Sequence, residues 1–437
     1  MNILYKKEIP VKYTADVLIA GGGPAGAAAA IMCSRLVSDP SRIMLVEQSG
    51  TFGGASTLAL VPEIMNFDDG VNFLSGGIGR EIHDALFGAE YGKRRWYNVR
   101  TEELKCLYDR MIVDSGITFR FYSRVTDVIT DGRTVTHAVV SGSDGVYAVS
   151  AKCFIDCTGT GSLCSLAGAE CEFGDERGST MSATLCSVWG GVDFDRKQND
   201  SARLREAYDN GVFSQYDMLL PGIKATFPEV GVGGGNVGHC FEIDDRDDAS
   251  LTNAMIHARR LLTEYETYYK GYVAGCERAV LLNTANYLGI RESRRVKCEK
   301  MLCAEDFAAD NTFDDEIGRY SYPIDIHPMT PDEKGMKEFG VNVAKRHGSG
   351  ESYSIPYRCL IPVTFDNVFV AGRCIGADHA MQASVRVIPC CYITGQAAGA
   401  AAAVCVNDGC TNKNADPEKI RRMLAGQGAY ITNLKAD

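Results

Sequence analysis

Three glycines, Gly21-x-Gly23-x-x-Gly26, end the apolar run "DVLIA" and open an alanine-rich one. That spacing suits bringing backbone against a large anion. Gly21 permits a tight turn, Gly23 lets the main chain approach a diphosphate, and Gly26 lets a helix lie close to a strand. Pro24 and Ala25 sit in the first helical turn, where free N–H groups and the helix dipole attract phosphate. Glu47, with Gln48 beside it, ends a second apolar run 21 residues after Gly26. A carboxylate there accepts hydrogen bonds from ribose hydroxyls and repels a 2′-phosphate. The chemistry implied is binding of an unphosphorylated adenine dinucleotide. The competing reading is an ordinary glycine turn with a surface glutamate.

The elements that must position these residues follow from patterning. Residues 15–47 read as one βαβ unit. Residues 101–116 form an amphipathic helix that Thr101 could cap, with Leu104, Leu107, Tyr108 and Met111 facing inward. Three alternating segments between 117 and 159 read as antiparallel strands joined by Asp-Gly turns. Residues 171–350 change character and read as an inserted α+β substrate or cap domain around one long helix. Residues 351–437 return to the opening style and complete a discontinuous domain with 1–170. No further βα repeats are expected after the opening unit, as a full NAD domain would require. A cofactor long enough to be held by both ends of the chain fits FAD.

The segments "GGGPAG", "EQSGTFGGAST", "FIDCTGTG", "GIRESRRVKCEKMLCAEDF", "YPIDIH" and "NVFVAGRCIGADHAMQASVRVIPCCYITGQAAGAAAA" together resemble the FAD-dependent oxidoreductase family of the glutathione-reductase-like flavoprotein class. The resemblance covers most of the chain and is strongest at its ends. It implies a Rossmann-like FAD-binding domain and places Gly53, Gly54 and Ala55, followed by Ser56, in a loop under the isoalloxazine. Val125 would reach the adenine, and Thr158 and Gly159 would lie at the diphosphate. After Gly372, related reductases carry Asp to bind a ribityl hydroxyl. Here it is Arg373, suited to a phosphate or the flavin edge. Pro389 would open a last helix whose N-terminus stabilises negative charge on reduced flavin. Gly395 and Gly399 give that helix a smooth packing face. The "GGAST" loop has no His or Cys, so the flavin is expected to be non-covalent.

Five side chains could act on a substrate beside such a cofactor. His379 follows the last strand and could serve as a base. Arg386 precedes the last helix and could bind substrate or cofactor. His327 shares a possible strand face with Asp325, which suggests a carboxylate-oriented histidine, half a metal site or a plain loop. In "RESRR", Arg291 and Arg294 could face an acidic or polar substrate, or simply form ion pairs with Glu292.

The bulk composition agrees with a small-molecule enzyme. The chain has 437 residues, 45% hydrophobic and 23% charged, and a formal net charge of −11. That acidity disfavours nucleic acid or an anionic membrane surface as partner. No stretch suggests a membrane span or secretory signal, so a cytoplasmic location is expected. The 17 cysteines contain no CxxC pair, and no metal is expected. Adjacent Cys390 and Cys391 read as core residues or as a thiol pair beside a redox centre. The expected function is hydride transfer at flavin N5 to or from a small polar substrate, acidic or sugar-like, with its electron partner unassigned. The alternative is a structural, non-redox use of FAD.

Overall fold

The computed structural model describes residues 3–92, 94–308 and 312–434. The outer ends of the expected cofactor domain, 1–2 and 435–437, lie outside these. Strand β1 (Val11–Ala20), helix α1 (Pro24–Leu36) and strand β2 (Ile43–Val46) form the opening unit, with Val17 in register with Ile43. Helices α2 (Ile78–Phe87) and α3 (Thr101–Asp114) then lead to β3 (Thr118–Arg120), which runs parallel to β2. The opening unit is therefore continued after all, by the first residues of the segment expected as an antiparallel strand from 117, which pair in parallel with β2 instead. In α3 the cap position falls on Arg100, so Thr101 is already helical, and Ile112 is buried where Met111 was expected.

Antiparallel β4 (Arg124–Asp131), β5 (Thr134–Gly142) and β6 (Gly145–Asp156) form a meander. Strand β6 is shared. Its first half pairs with β5, and its buried end pairs in parallel with β7 (Val368–Val370), so that Phe154 lies between Leu18 and Val368. The parallel order β3-β2-β1-β6-β7 is the Rossmann-like core. It brings the chain's two ends together.

A second core surrounds Trp189, Leu261, Tyr265, Tyr268 and Tyr269. Its sheet runs Ile223–Phe227, Val232–Gly235, Ser187–Gly190, Val280–Thr284, all antiparallel. Helix α4 (Asp248–Tyr272) packs over it. It starts earlier than its apolar pattern suggests because Asp247 caps the amides of Ala249 and Ser250. Within the expected 171–350 insertion, Val296, Leu302, Ile317, Tyr320 and Ile324 pack into the first core instead.

Helix α5 (His379–Val385) leads into α6 (Ile388–Asp408), which is buried from Ile388 to Cys405. This helix is long and apolar enough to cross a membrane, contrary to the sequence reading, but its apolar window is wholly buried. A Cβ on Gly395 would stand 2.7 Å from Ala25 Cα, and one on Gly399 3.0 Å from Ala29 Cα. The backbones of α1 and α6 thus touch. Cys390 and Cys391 are free and buried in α6, and burial pushes the Cys391 thiol up to about 12, leaving it protonated at neutral pH.

Candidate functional site

The glycine loop lies where β1, β2 and β6 end. Gly21, at φ +96°, donates its N–H to the Val46 carbonyl at 2.8 Å. A Cβ there would come 2.7 Å from the Cys157 oxygen, and one on Gly26 would overlap the Gly21 carbonyl. Gly23 is the opposite case. No heavy atom lies within 4 Å of its Cβ position, so its backbone faces open space. It caps α1, with no side-chain cap and no acid in the first turn. Amides and dipole are left for an anion. Pro24 and Ala25 are buried, and the Ala25 side chain packs under Gly372, so only its backbone can serve a ligand.

Glu47 is 6% exposed and accepts the N–H of Gly22 at 2.7 Å and of Ser49 at 2.8 Å. It therefore holds the loop as well as standing beside it. Gln48 borders a cleft of about 650 Å³ that Tyr122 and Tyr287 also line.

Gly53 and Gly54 adopt φ of +99° and +47°. Gly53 donates to the Gly22 carbonyl at 2.8 Å, and a Cβ on Gly54 would lie 3.2 Å from Gly23 Cα. This loop lies directly on the glycine loop. Ala55 is exposed. The Ser56 hydroxyl is buried and donates to the Gly53 carbonyl at 2.7 Å, so Ser56 shapes the loop and its hydroxyl is not free for a ligand. Val125 is buried in β4 opposite Val140.

Thr158 donates its hydroxyl to Asp156 at 2.6 Å. The Gly159 carbonyl accepts Arg373 Nε at 2.7 Å, and Arg373 also donates to the Ile290 carbonyl. Among the described residues Arg373 forms no ion pair, and burial lowers its pKa. Such a cation, held by carbonyls alone, suits an anion or a polar ring edge. The Gly372 N–H donates to Thr394 at 3.0 Å, and the Pro389 carbonyl at the start of α6 accepts Ser75 at 2.9 Å.

A second polar cluster lies where the two cores meet. The segment carrying Asp325 and His327 lies in no helix or strand, so the shared strand face is a loop. Arg386 Nη2 donates to Asp325 Oδ2 at 3.0 Å, and the Tyr322 hydroxyl donates to it at 3.2 Å. His327 Nε2 stands 3.4 Å from the same oxygen. Burial opposes ionisation of Asp325, but His327, Arg386 and Arg291 outweigh it and hold the carboxyl below its ordinary value. Burial first, then Arg291, depresses His327 to about 3, so it is neutral near pH 7. Arg291 is buried on the Ser182 carbonyl at 2.7 Å and the Thr184 hydroxyl at 2.9 Å, and burial lowers it to about 10. It does not pair with Glu292.

His379 joins a different group. Its Nδ1 lies 2.7 Å from Glu292 Oε1, which also accepts Arg295 at 2.6 Å. Arg294 donates to the Thr160 carbonyl, at 3.5 Å. Among the described residues no three His, Cys, Asp or Glu side chains group as a metal site. Behind His327 stand two residues that motif reading passed over, His239 and Asp217. Their only sequence signal is a lone polar group among apolar neighbours, as in "NVGHCF" and "QYDMLL".

The sequence model of the FAD dependent oxidoreductase family matches residues 16–424. No curated protein is detectably similar. Among solved structures, a geranylgeranyl bacteriochlorophyll reductase-like protein from Thermoplasma acidophilum is 13% identical, with 94% of this chain and 83% of that chain covered and a TM-score of 0.46. The flavin-dependent brominase Bmp2 is 13% identical, with 94% and 84% covered and a TM-score of 0.43. The p-nitrophenol 4-monooxygenase of Pseudomonas putida DLL-E4 is 11% identical, with 66% and 70% covered and a TM-score of 0.36. The chain belongs to the FAD dependent oxidoreductase family. It is an enzyme whose cofactor is FAD, and the open Gly23 backbone and the carbonyl-held Arg373 fit that molecule.

Proposed function

We propose that this enzyme is a flavoprotein of the glutathione-reductase-like class, holding FAD without a covalent bond and exchanging hydride with a small polar substrate, acidic or sugar-like. FAD, when bound, supplies two-electron chemistry at its N5 atom. On this reading the backbone from Gly21 to Gly26 holds the diphosphate, with Thr158 and Gly159 beside it. Glu47 takes the ribose, Gln48 and Val125 border the adenosine half, and residues 53–55, Gly372, Arg373 and Pro389 border the other half. Arg291 and Arg386 orient the substrate by charge, and His327 accepts or returns its proton. His379, on Glu292, is a second group able to hold a proton.

One observation carries the reading. Arg291, His327 and Arg386 come from three separate segments and all bear on one buried carboxylate, Asp325. Buried charges gathered from both cores are costly to assemble and mark a functional site. Anaerobic stopped-flow mixing of the FAD-loaded protein with hydroxy acids, amino acids and sugars tests it. A substrate should bleach the ~450 nm flavin band, and His327→Asn should retain FAD while slowing bleaching by ~10²-fold or more. Equal bleaching rates in the wild type and His327→Asn would remove His327 from the chemistry. A flavin that stays oxidised across the whole panel would favour a non-redox role.

A further inference from the structure

Behind His327 the structure holds an unbroken row of ionisable groups. Asp217 Oδ1 accepts the Leu219 N–H at 3.2 Å, while Oδ2 accepts the His239 backbone N–H at 3.0 Å and stands 2.9 Å from His239 Nδ1. His239 Nε2 stands 2.9 Å from His327 Nδ1. His327 Nε2 stands 3.4 Å from Asp325 Oδ2. All four residues are at most 7% exposed. Asp217 and His239 belong to the second-core side, where His239–Cys240 pairs with Ala183–Thr184. Tyr322 and Ile324, which precede Asp325, pack in the first core.

Taken with both imidazoles neutral, the row has three nitrogen-to-acceptor gaps for two ring protons. One gap must lack a proton. The two gaps of 2.9 Å are hydrogen-bond lengths, and the 3.4 Å gap is the long one. An ionised Asp217 only accepts, so His239 carries its proton on Nδ1. Its bare Nε2 then accepts from His327 Nδ1–H. That leaves the His327 Nε2 lone pair facing Asp325, whose oxygen is already satisfied by Arg386 and Tyr322.

We infer that Asp217 and His239 are positioning residues that hold His327 in its Nδ1–H tautomer, so that His327 Nε2 is the proton acceptor of the reaction. The inference rests on the reaction proposed above. In the oxidation direction a substrate O–H or N–H bond breaks with its electron pair left on the heteroatom, and an N–H bond forms at Nε2. That proton fills the third gap and binds Asp325. In reduction the same proton is returned. The groups facing His327 set the balance: Asp325, Arg386 and Tyr322 at one end, His239 with Asp217 at the other, Arg291 in range, and the Phe339 ring 5.1 Å away. The two carboxylates favour an added proton, and the two guanidiniums limit how long it stays. Truncating His239 would leave His327 free to rotate or change tautomer, a loss of orientation with no lost substrate contact.

Nitrogen NMR of the FAD-loaded protein, labelled with ¹⁵N-histidine, tests this without a substrate. The chain has seven histidines, and His239→Gln and His327→Asn assign the pair. At pH 7.5 both rings should show a protonated Nδ1 with slow solvent exchange and a bare Nε2. His239→Gln should turn the single His327 tautomer into a mixture. Nε2–H on either wild-type ring, or an imidazolium on both, would overturn the assignment, and that result needs no folded variant. Because flavin bleaching does not enter the measurement, failure here and failure of the proposed reaction are told apart.

Discussion

Replacing Glu47 separates its two duties. Its carboxylate accepts two amides, Gly22 at 2.7 Å and Ser49 at 2.8 Å, in a position 6% exposed. Hydrogen bonds to an ionised acceptor are worth about 1.5–3 kcal/mol each. Glu47→Ala orphans both amides, so the apo-protein should lose roughly 3 kcal/mol or more of stability. Those bonds exist without FAD and do not count toward affinity. What counts is the proposed ribose contact, one further charge-assisted bond. Its loss should raise the FAD Kd by about 10- to 100-fold, at 1.4 kcal/mol per tenfold. Glu47→Gln keeps the shape and one amide bond, so its affinity loss should be nearer tenfold, with a smaller stability loss. Flavin is stripped from each variant, and refilling is followed by the change in flavin fluorescence. Chemical denaturation of the apo-proteins gives the stability arm. If both variants lose stability yet bind FAD with wild-type Kd, Glu47 is a loop anchor only, and the ribose assignment is wrong.

Two further outcomes are expected. Gly395→Ala should destabilise by about 2 kcal/mol or more, because its Cβ would stand 2.7 Å from Ala25 Cα, whereas helix propensity alone favours Ala by ~1 kcal/mol; a rise in melting temperature would refute the backbone contact between α1 and α6. The second is a pH slope. The folded pKa of His327 is depressed to about 3, so below the unfolded value near 6.5 the unfolded chain binds a proton that the folded one refuses, and stability falls with falling pH. Asp325, also depressed, adds to that loss only below its ordinary value of 3.8. His327→Gln should flatten the urea-midpoint slope by about 2 kcal/mol between pH 6.5 and 5, and an unchanged slope would refute a neutral buried His327.

The sequence revealed what is local. The glycine turn, the first helix and the close-packed α6 were legible within a few residues, because turn geometry and helix packing act over that range. Strand β3 was read as the start of an antiparallel strand because alternation shows neither a strand's direction nor the break at Tyr122, where φ is +52°. Thr101 misled because capping depends on where the backbone turns, which a single hydroxyl does not decide. Ser56 shows that a hydroxyl in such a loop can be consumed by the loop itself. Asp217 and His239 were out of reach for another reason. His239 meets Asp217 across 22 residues and His327 across 88, so their pairing exists only once the two cores are docked.

Arg373 shows how the two halves of the site are joined. A carboxylate at this position could only accept. Arg373 donates to the carbonyl of Gly159, beside the glycine loop, and to the carbonyl of Ile290, immediately before Arg291. One guanidinium thus fastens the end of the dinucleotide sheet to the segment that carries the buried arginine of the polar cluster. A ribityl-binding acid could not replace it, because two carbonyl oxygens would then face a third acceptor. Arg373 therefore holds the segment that places the buried Arg291 against the backbone beside the glycine loop.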